Sequence, residues 1–238
     1  MSTAELTEQK TGCLVCGAAL SYGEAEGEAA CHFCGQPAPD DVRCQAGHFV
    51  CDVCHQGDAA AVIQAACLAS GEREMAPLLQ RLRRHPAVKI HGPEHHALVP
   101  GVILANYRAL GGELTDEVLG RAVRRGAKVP GGHCGFWGAC GAAVGVGLAF
   151  GAILGSTPVK GEQRGLANEV TSRVLARVAA LRAPRCCHRD SMISIQAAAE
   201  FSPEYLDVTL CYGDPAPCNQ VEKNKECIRE RCPLFPVS

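Results

Sequence analysis

Residues 138–154 read GACGAAVGVGLAFGAIL and overlap the longest apolar run of the chain, residues 139–156. This run is only marginally long enough to cross a bilayer, and it contains five glycines. We therefore interpret it as a buried core helix. Each helical glycine costs up to about 1 kcal/mol relative to alanine, so we expect another helix or a ligand to approach closely at Gly141, Gly145 and Gly147.

Apolar residues on both sides of this segment recur at three- and four-residue spacing, as they do in amphipathic helices. The pattern predicts a domain of six or seven helices, with candidate segments at residues 59–70, 73–84, 98–110, 115–127, 138–154, 163–181 and 191–201. Asp190 is the expected N-cap of the last of these helices. Residues 205–211 (YLDVTLC) predict a short strand.

Composition divides the chain into four parts. Residues 1–11 predict a disordered leader, and residues 12–57 predict a zinc-binding module because they are rich in cysteine and lack helical periodicity. Residues 58–204 predict a helical domain, and residues 205–238 predict a cysteine-rich tail packed on it. The expected fold class is mainly α, with a small N-terminal module of the zinc-ribbon or RING type and a short irregular C-terminal tail.

The chain has 238 residues, a formal charge of −2 and sixteen cysteines. Its first ten residues are polar and lack the apolar segment of a secretory signal, so we expect a cytoplasmic protein. A reducing compartment disfavours structural disulfides, which makes metal ligation the expected use of the cysteines. The charge lacks the basic excess of nucleic-acid or membrane-surface proteins, and neither partner is expected.

Seven cysteines and one histidine form four pairs in the N-terminal region: Cys13 with Cys16, Cys31 with Cys34, Cys44 with His48, and Cys51 with Cys54. A Cys-x2-Cys turn places two thiolates on one tetrahedral ion, so these eight ligands predict two structural zinc ions. Interleaved pairing, as in a RING cross-brace, would join Cys31, Cys34, Cys51 and Cys54 on one ion and the other four ligands on the second. Sequential ribbon pairing is the alternative, and the spacing is compatible with both.

Cysteines and histidines also cluster within the predicted helical domain. We expect Cys134 and Cys140, with Cys186, Cys187 and the imidazoles of His91, His95 and His96, to line a pocket. Within this set the candidate catalytic residues are Cys140, Cys134, His95 and Glu94. The string His91-Gly-Pro-Glu94-His95 matches that of inverted zinc peptidases, but Gly92 and Pro93 interrupt the helix that such a site needs.

The tail contains Cys211, Cys218, Cys227 and Cys232, and the last of these precedes a proline. A terminal Cys-Pro is typical of ferredoxin-type iron–sulfur ligation. The tail therefore predicts either a single metal or an iron–sulfur cluster bound by three or four of these thiols. The candidate cofactor-binding residues are Cys186, Cys187, Cys218, Cys227 and Cys232.

Several motifs resemble those of an uncharacterised prokaryotic family that joins a zinc-ribbon-like module to a domain of unknown function. They are GCLVCG, CHFCG, GHFVCDVCH, HGPEHH, GHCGFWGACGAAVG, PRCCHRD and NKECIRERCPLF. Cys140-Gly-Ala-Ala-Val-Gly145 also resembles the central motif of the C-GCAxxG-C-C proteins, with alanine and glycine exchanged around the cysteine. Their flanking cysteines would correspond to Cys134 and to Cys186 or Cys187. These resemblances imply metal and redox chemistry and name no substrate.

The expected function is that of a metal-binding protein with structural zinc and a second redox or metal site that would serve a partner enzyme. The alternative is a non-catalytic adaptor whose zinc knuckles dock such an enzyme while the other cysteines are structural. Nucleic-acid binding is disfavoured because residues 12–57 contain one arginine and no lysine.

Overall fold

Eight helices build most of the molecule in a computed structural model that describes residues 13–22, 27–40, 42–51, 54 and 58–236. The predicted leader, residues 1–11, lies outside these ranges. The helices are α1 (Ala59–Ala69), α2 (Met75–Leu82), α3 (Glu94–Ala109), α4 (Asp116–Ala127), α5 (His133–Phe136), α6 (Gly141–Ile153), α7 (Gly161–Ala180) and α8 (Cys187–Tyr205). The mainly α fold class and the seven candidate helical segments are confirmed, and α5 is a single additional turn. None of the helices in the described ranges combines the length and apolarity that a membrane crossing requires.

Helix α3 is the centre of the helical domain. Thirteen of its sixteen residues are buried, and it packs against α1, α2, α4, α6 and α8. The helix begins four residues before the sequence-predicted start because Pro93, at the N-cap with φ −66°, is already in the helical conformation. Helix α7 lies further out, packs on α6 and α8, and buries only Val170 and Val174.

The glycines of α6 allow the close packing that the sequence predicts. A Cβ atom at Gly141 would lie 2.1 Å from His96 Cδ2, and one at Gly145 would lie 2.8 Å from Pro100 Cδ, so this face of α6 touches α3. A Cβ atom at Gly147 would lie 1.9 Å from Thr171 Oγ1 on α7. Helix α6 is therefore held between two helices at distances that only glycine permits.

Two expectations at the last helix are wrong. Helix α8 begins at Cys187 with Cys186 as its N-cap, because the Asp190 N–H donates to the Cys186 carbonyl at 2.9 Å and closes a turn that starts earlier. Asp190 therefore lies in the first turn and does not cap the helix. At this position its negative charge interacts favourably with the helix dipole.

The sequence-predicted strand at 205–211 is absent. Tyr205 ends α8, and the backbone that follows is bound by side chains: the N–H of Leu210 donates to Ser202 Oγ at 2.9 Å, and the N–H of Cys211 donates to Asn106 Oδ1 at 3.1 Å. The Cys211 carbonyl then accepts from Met75 N–H at 2.9 Å at the start of α2. These contacts occupy the backbone at Leu210 and Cys211 and fasten the tail to the helical domain.

The N-terminal module contains two small antiparallel pairs of strands. Strand β1 (Leu20–Tyr22) pairs with β4 (Val42–Cys44), and β2 (Glu28–Ala30) pairs with β3 (Pro37–Pro39). The second pair is thus nested inside the first along the chain. Nesting brings the first Cys-x2-Cys turn beside the end of β4 and leaves the second turn between β2 and β3.

Candidate metal and thiol sites

The eight predicted ligands of the N-terminal module meet in two groups. The outer site consists of Cys13, Cys16, Cys44 and His48, and the inner site consists of Cys31, Cys34, Cys51 and Cys54. Within each group the ligand atoms all lie within 4.8 Å of one another, so each group could hold a metal ion. This grouping is the interleaved arrangement and differs from the sequential one, because the nested strands carry each turn to a distant partner.

The two Cys-x2-Cys turns have the backbone conformation of a zinc knuckle, a tight turn that presents two cysteine sulfurs to one ion. Gly17 and Gly35 follow Cys16 and Cys34 with φ of +77° and +76°, and each donates its N–H to the carbonyl of the first cysteine, Cys13 or Cys31. Left-handed backbone is easily adopted by glycine and strained for other residues. The N–H of Val15 also donates to Cys13 Sγ at 3.4 Å, a bond that stabilises a thiolate.

Distances between ligand atoms fit a tetrahedral ion. Two sulfurs bound about 2.3 Å from one tetrahedral zinc lie about 3.8 Å apart, and a sulfur and a nitrogen lie about 3.6 Å apart. In the inner site Cys34 Sγ and Cys51 Sγ are 3.7 Å apart. In the outer site Cys44 Sγ is 3.7 Å from His48 Nδ1 and 3.5 Å from Cys16 Sγ.

The inner site needs a cation to hold all its thiolates. The hydrogen bond with Cys31 and, more weakly, burial together raise the pKa of Cys34 to about 11. Four ionised sulfurs at this spacing repel one another unless a metal ion lies between them.

The inner site also joins the module to the helical domain. Phe33, fully buried between two ligands, packs edge-on against His85 with ring centroids 4.2 Å apart. His85 Nε2 lies 2.7 Å from the Cys54 carbonyl oxygen. All four inner ligands belong to the same continuous core as the helices, whereas the outer ligands do not.

A cavity of about 980 Å³, here called the thiol cavity, lies in the helical domain. Among the residues that line it are Cys134, Cys140, Cys187, His91 and His96, five of the seven predicted pocket residues. They come from four segments: the start of α3, α5, the start of α6 and the start of α8. Apolar residues of α7 close another side, and the volume is within the range of small-molecule sites.

Cys140 is a protonated thiol at neutral pH. Burial, followed by the negative charge of Asp190, raises its pKa to about 11, although the N–H groups of Ala142 and Ala143 oppose the shift. The pKa of Cys187 is likewise raised, first by burial and then by Asp190. Cys134 is exposed at the cavity mouth.

Two histidines present a free ring nitrogen near these thiols. His96 Nδ1 lies 3.0 Å from the Val129 carbonyl oxygen and must donate to it, so Nε2 carries the lone pair. Burial lowers the pKa of His96, which keeps the ring neutral. His91 Nε2 lies 3.0 Å from Asn224 Oδ1, and the buried Nδ1 of His91 has no hydrogen-bond partner within the described structure.

Glu94 and His95, both predicted as catalytic, do not line the thiol cavity. The Glu94 carboxylate folds back against Gly92. His95 is 1% exposed, lies between the Lys89 carbonyl and Ser191 Oγ, and has a pKa lowered to about 3 by burial. Helical geometry explains this result, since residues 95 and 96 point in directions about 100° apart and only one can face the cavity.

The adjacent cysteines at the start of α8 separate into two environments. Cys187 faces the thiol cavity, whereas Cys186 accepts a hydrogen bond from Asn224 Nδ2 at 3.6 Å on the side of the tail. The pKa of Cys186 is raised by burial and then, more weakly, by Asp190 and Cys232. Asn224 therefore contacts His91 of the cavity with its oxygen and Cys186 with its nitrogen.

Cys186, Cys218, Cys227 and Cys232 form what we call the tail cluster. The pKa of Cys232 is raised by burial and then, more weakly, by the charges of Cys218 and Cys227, and the charge of Cys232 in turn raises the pKa of Cys186. The N–H of Arg229 donates to Cys227 Sγ at 3.4 Å, the same i+2 bond that Val15 makes at Cys13. Cys218 Sγ lies 3.7 Å from His188 Nδ1. Cys211 lies apart from this set, next to Asn106 and α2.

Several residues that the sequence analysis did not assign to a site lie beside the thiol cavity and the tail cluster. The buried ion pair Arg189–Asp190, at 2.9 Å, borders the thiol cavity, and Asn224 connects this cavity with the tail cluster. Arg83 is 7% exposed, and burial lowers its pKa to about 10, an effect that the charges of Cys186 and Cys218 oppose. The motif NKEC contains Asn224 and the motif PRCCHRD ends in Arg189 and Asp190, whereas Arg83 lies in none of the quoted motifs.

A protein-family model described as a family of unknown function (DUF5714) matches residues 63–235. No curated protein and no solved structure matches the chain. The predicted likeness to the C-GCAxxG-C-C proteins is not shown by these comparisons. The matched residues contain the thiol cavity and the tail cluster and begin after the last ligand of the inner site.

Proposed function

Because this chain belongs to a family of unknown function, DUF5714, we propose its function from its own thiol chemistry. Two structural zinc ions hold the N-terminal module, an iron–sulfur cluster is bound by the tail cluster, and a small substrate undergoes redox chemistry in the thiol cavity beside it. The protein works in a reducing compartment, the cytosol, where thiol ligands stay available.

Zinc is supported by the donor sets. Four thiolates in the inner site, and three thiolates with one imidazole in the outer site, are the combinations that closed structural zinc sites use. Neither set includes a position for substrate. The zinc ions therefore order the module and take no part in the chemistry.

An iron–sulfur cluster suits the tail cluster better than a single ion does. Within the described residues, groups of three or more donors within 4.8 Å occur only in the N-terminal module. A single tetrahedral ion needs its ligands that close, whereas the iron and sulfide atoms of a cluster separate its thiolates. Arg83 and Arg189 supply nearby positive charge, which favours an anionic cluster.

The observation that carries the proposal is the division of Cys186 and Cys187. Cys186 of the tail cluster and Cys187 of the thiol cavity are consecutive residues. Asn224 connects the two sites a second time, because it contacts both Cys186 and His91. A cluster held at Cys186 would lie within short electron-transfer reach of a substrate at Cys187. The cluster when bound supplies one-electron chemistry, and the chain supplies the cavity, the thiols and the neutral imidazole of His96.

Metal analysis after anaerobic purification tests this proposal. We expect two zinc ions for the two donor groups, together with iron and acid-labile sulfide in equal amounts and a visible absorbance that reductant bleaches. Cys227→Ser and Cys232→Ser should lose iron and keep zinc. The matched control Cys134→Ser, at the mouth of the thiol cavity, should keep both. Zinc without iron in protein purified anaerobically would overturn the redox proposal.

The second candidate is a non-catalytic adaptor, and two aromatic residues at the end of α5 favour it. Phe136 is 90% exposed and Trp137 is 74% exposed, and exposed aromatic residues are common at interfaces with partner proteins. Cys140→Ala distinguishes the two candidates: an adaptor keeps its fold and its partner, whereas the redox protein loses activity with the fold retained. Phe136→Ser with Trp137→Ser should then abolish binding of a partner enzyme only in the adaptor.

A further inference from the structure

A second, smaller cavity of about 260 Å³ lies between α2, the start of α8 and the tail segment 216–223. Its walls are polar and carry Arg83, Arg84, Lys223 and His188. None of the described residues that line it is an aspartate or a glutamate. The cavity therefore combines three cationic side chains with no anion to balance them.

Arg83 is the buried member of this group. Its side chain donates to Gln220 Oε1, but its Nε is buried without a hydrogen-bond partner, and within the described structure it forms no ion pair with a carboxylate. The side chain of His188, 3% exposed, has a buried Nε2 that no described residue contacts through a hydrogen bond. Burying an unpaired cation and an unpaired ring nitrogen costs stability, and a bound anion would offset that cost.

The walls of this cavity are fixed in place. Gln80 on α2 makes two hydrogen bonds to the backbone of Ala216, one donated to the carbonyl at 2.7 Å and one accepted from the N–H at 3.0 Å. The N–H of Lys223 donates to the Gln220 carbonyl at 3.1 Å, which forms a turn at the far wall. A site whose donors are already positioned loses little entropy on binding.

We propose that this cavity binds a phosphate-sized oxyanion, either free or as the terminal group of a larger molecule. The volume is just below the usual range of small-molecule pockets, which suits a single charged group. Arginine and lysine are the side chains that bind phosphate oxygens most strongly. The site shares no lining residue with the thiol cavity, but it borders the tail cluster, because His188 Nδ1 lies 3.7 Å from Cys218 Sγ.

Binding is tested on the purified full chain with inorganic phosphate by calorimetry and by thermal unfolding, with potassium chloride at equal ionic strength as the reference. Glycerol phosphate is the second probe, and tighter binding of it than of phosphate identifies the anion as part of a larger molecule. We expect saturable phosphate binding with a rise in melting temperature that chloride does not produce.

Charge reversal at the cavity rim locates the site. Arg84→Glu with Lys223→Glu changes two exposed residues and should raise the phosphate Kd by at least about ten-fold. Arg164→Glu, an exposed residue on α7 that lines neither cavity, should leave the Kd unchanged. The proposal is overturned if phosphate and chloride act alike on the wild type, or if the Arg164 variant weakens binding as much as the double variant.

Discussion

At the scale of single residues, burial governs the chemistry of the cysteines. Ligand thiols meet other ligands, whereas Cys67, on α1, is fully buried and packs beside Gly101 in the helical core. Burial raises the pKa of Cys67 from 9.0 to about 12. A thiol in this environment stays protonated and behaves as a small apolar side chain.

Cys67 should make the protein sensitive to alkali. Its folded pKa lies above the unfolded value, so its contribution to stability is complete below pH 9 and is lost as the pH rises toward 12. Cys67→Ala should therefore show a shallower loss of unfolding free energy between pH 9 and 11 than the wild type. Denaturant unfolding at a series of pH values measures both slopes. Parallel slopes would show that the buried thiol does not contribute.

Asn224 connects the tail cluster, the proposed iron–sulfur site, with the thiol cavity, the proposed substrate site. Asn224→Ala removes its bonds to His91 and Cys186 at once, while the cysteines remain. Loss of such a supporting contact typically weakens a metal site by about 10–100-fold, so iron should be lost faster to a chelator. Zinc content should not change. Asn219→Ala, in the tail but without these bonds, is the control, and equal rates of iron loss in the two variants would contradict the proposed role.

At the scale of elements, close helix contacts determine where the cavity residues lie. Gly126 of α4 faces the backbone of α3: a Cβ atom there would lie 2.3 Å from the His96 carbonyl oxygen and 2.8 Å from Ala97 Cα. Backbone atoms cannot move aside as a flexible side chain can. The helices reach this distance only because the position is a glycine.

Gly126→Ala should therefore destabilise the protein by about 1–3 kcal/mol, the usual cost of overpacking a core. Gly165→Ala on α7 is the matched control, because nothing lies within 4 Å of the added methyl group. Alanine there should stabilise the helix by up to about 1 kcal/mol. Chemical denaturation gives both values, and a neutral Gly126→Ala would mean that α3 and α4 can separate without cost.

Helix periodicity predicted where the helices lie in the chain, but not which of their side chains face the thiol cavity. The apolar spacing located α1 to α4 and α6 to α8, since core packing imposes that spacing on any amphipathic helix. It could not show that His96 faces the cavity while His95 turns away, because the rotation of α3 follows from contacts with Gly126 and Gly141. Nor could it show that the backbone after Tyr205 binds Ser202 and Asn106 in place of a strand.

At the scale of the whole molecule, the two N-terminal sites are attached to the rest of the chain to different degrees. The inner ligands share the continuous core of the helices and hold Phe33 against His85. The outer ligands lie outside that core, and Cys16 is exposed. Cysteine spacing predicted the ligands of both sites, but this difference depends on tertiary packing and leaves no pattern in the sequence.

Removing one ligand from each site should therefore have unequal effects on the helical domain. Cys34→Ala and Cys16→Ala should each lose one zinc ion, because three ligands hold a structural ion poorly. Loss of the inner ion releases Phe33, and a buried phenylalanine contributes about 3 kcal/mol or more. For a chain of this length that free energy lowers the melting temperature of the helices by about 6–12 °C. Cys16→Ala should change it by no more than about 2 °C, since none of the four outer ligands belongs to the helical core.

Native mass spectrometry counts the zinc ions, and thermal unfolding followed by the far-UV circular dichroism of the helices gives the melting temperatures. Phe33→Ala should reproduce the lower melting temperature of Cys34→Ala with both zinc ions still bound, because it breaks the contact and keeps the ligands. If the Cys16 and Cys34 variants melt at the same temperature, the inner site does not stabilise the helical domain and the module is an independent unit. If Phe33→Ala melts at the wild-type temperature, the inner site stabilises the helical domain through its ligands and not through the contact between Phe33 and His85.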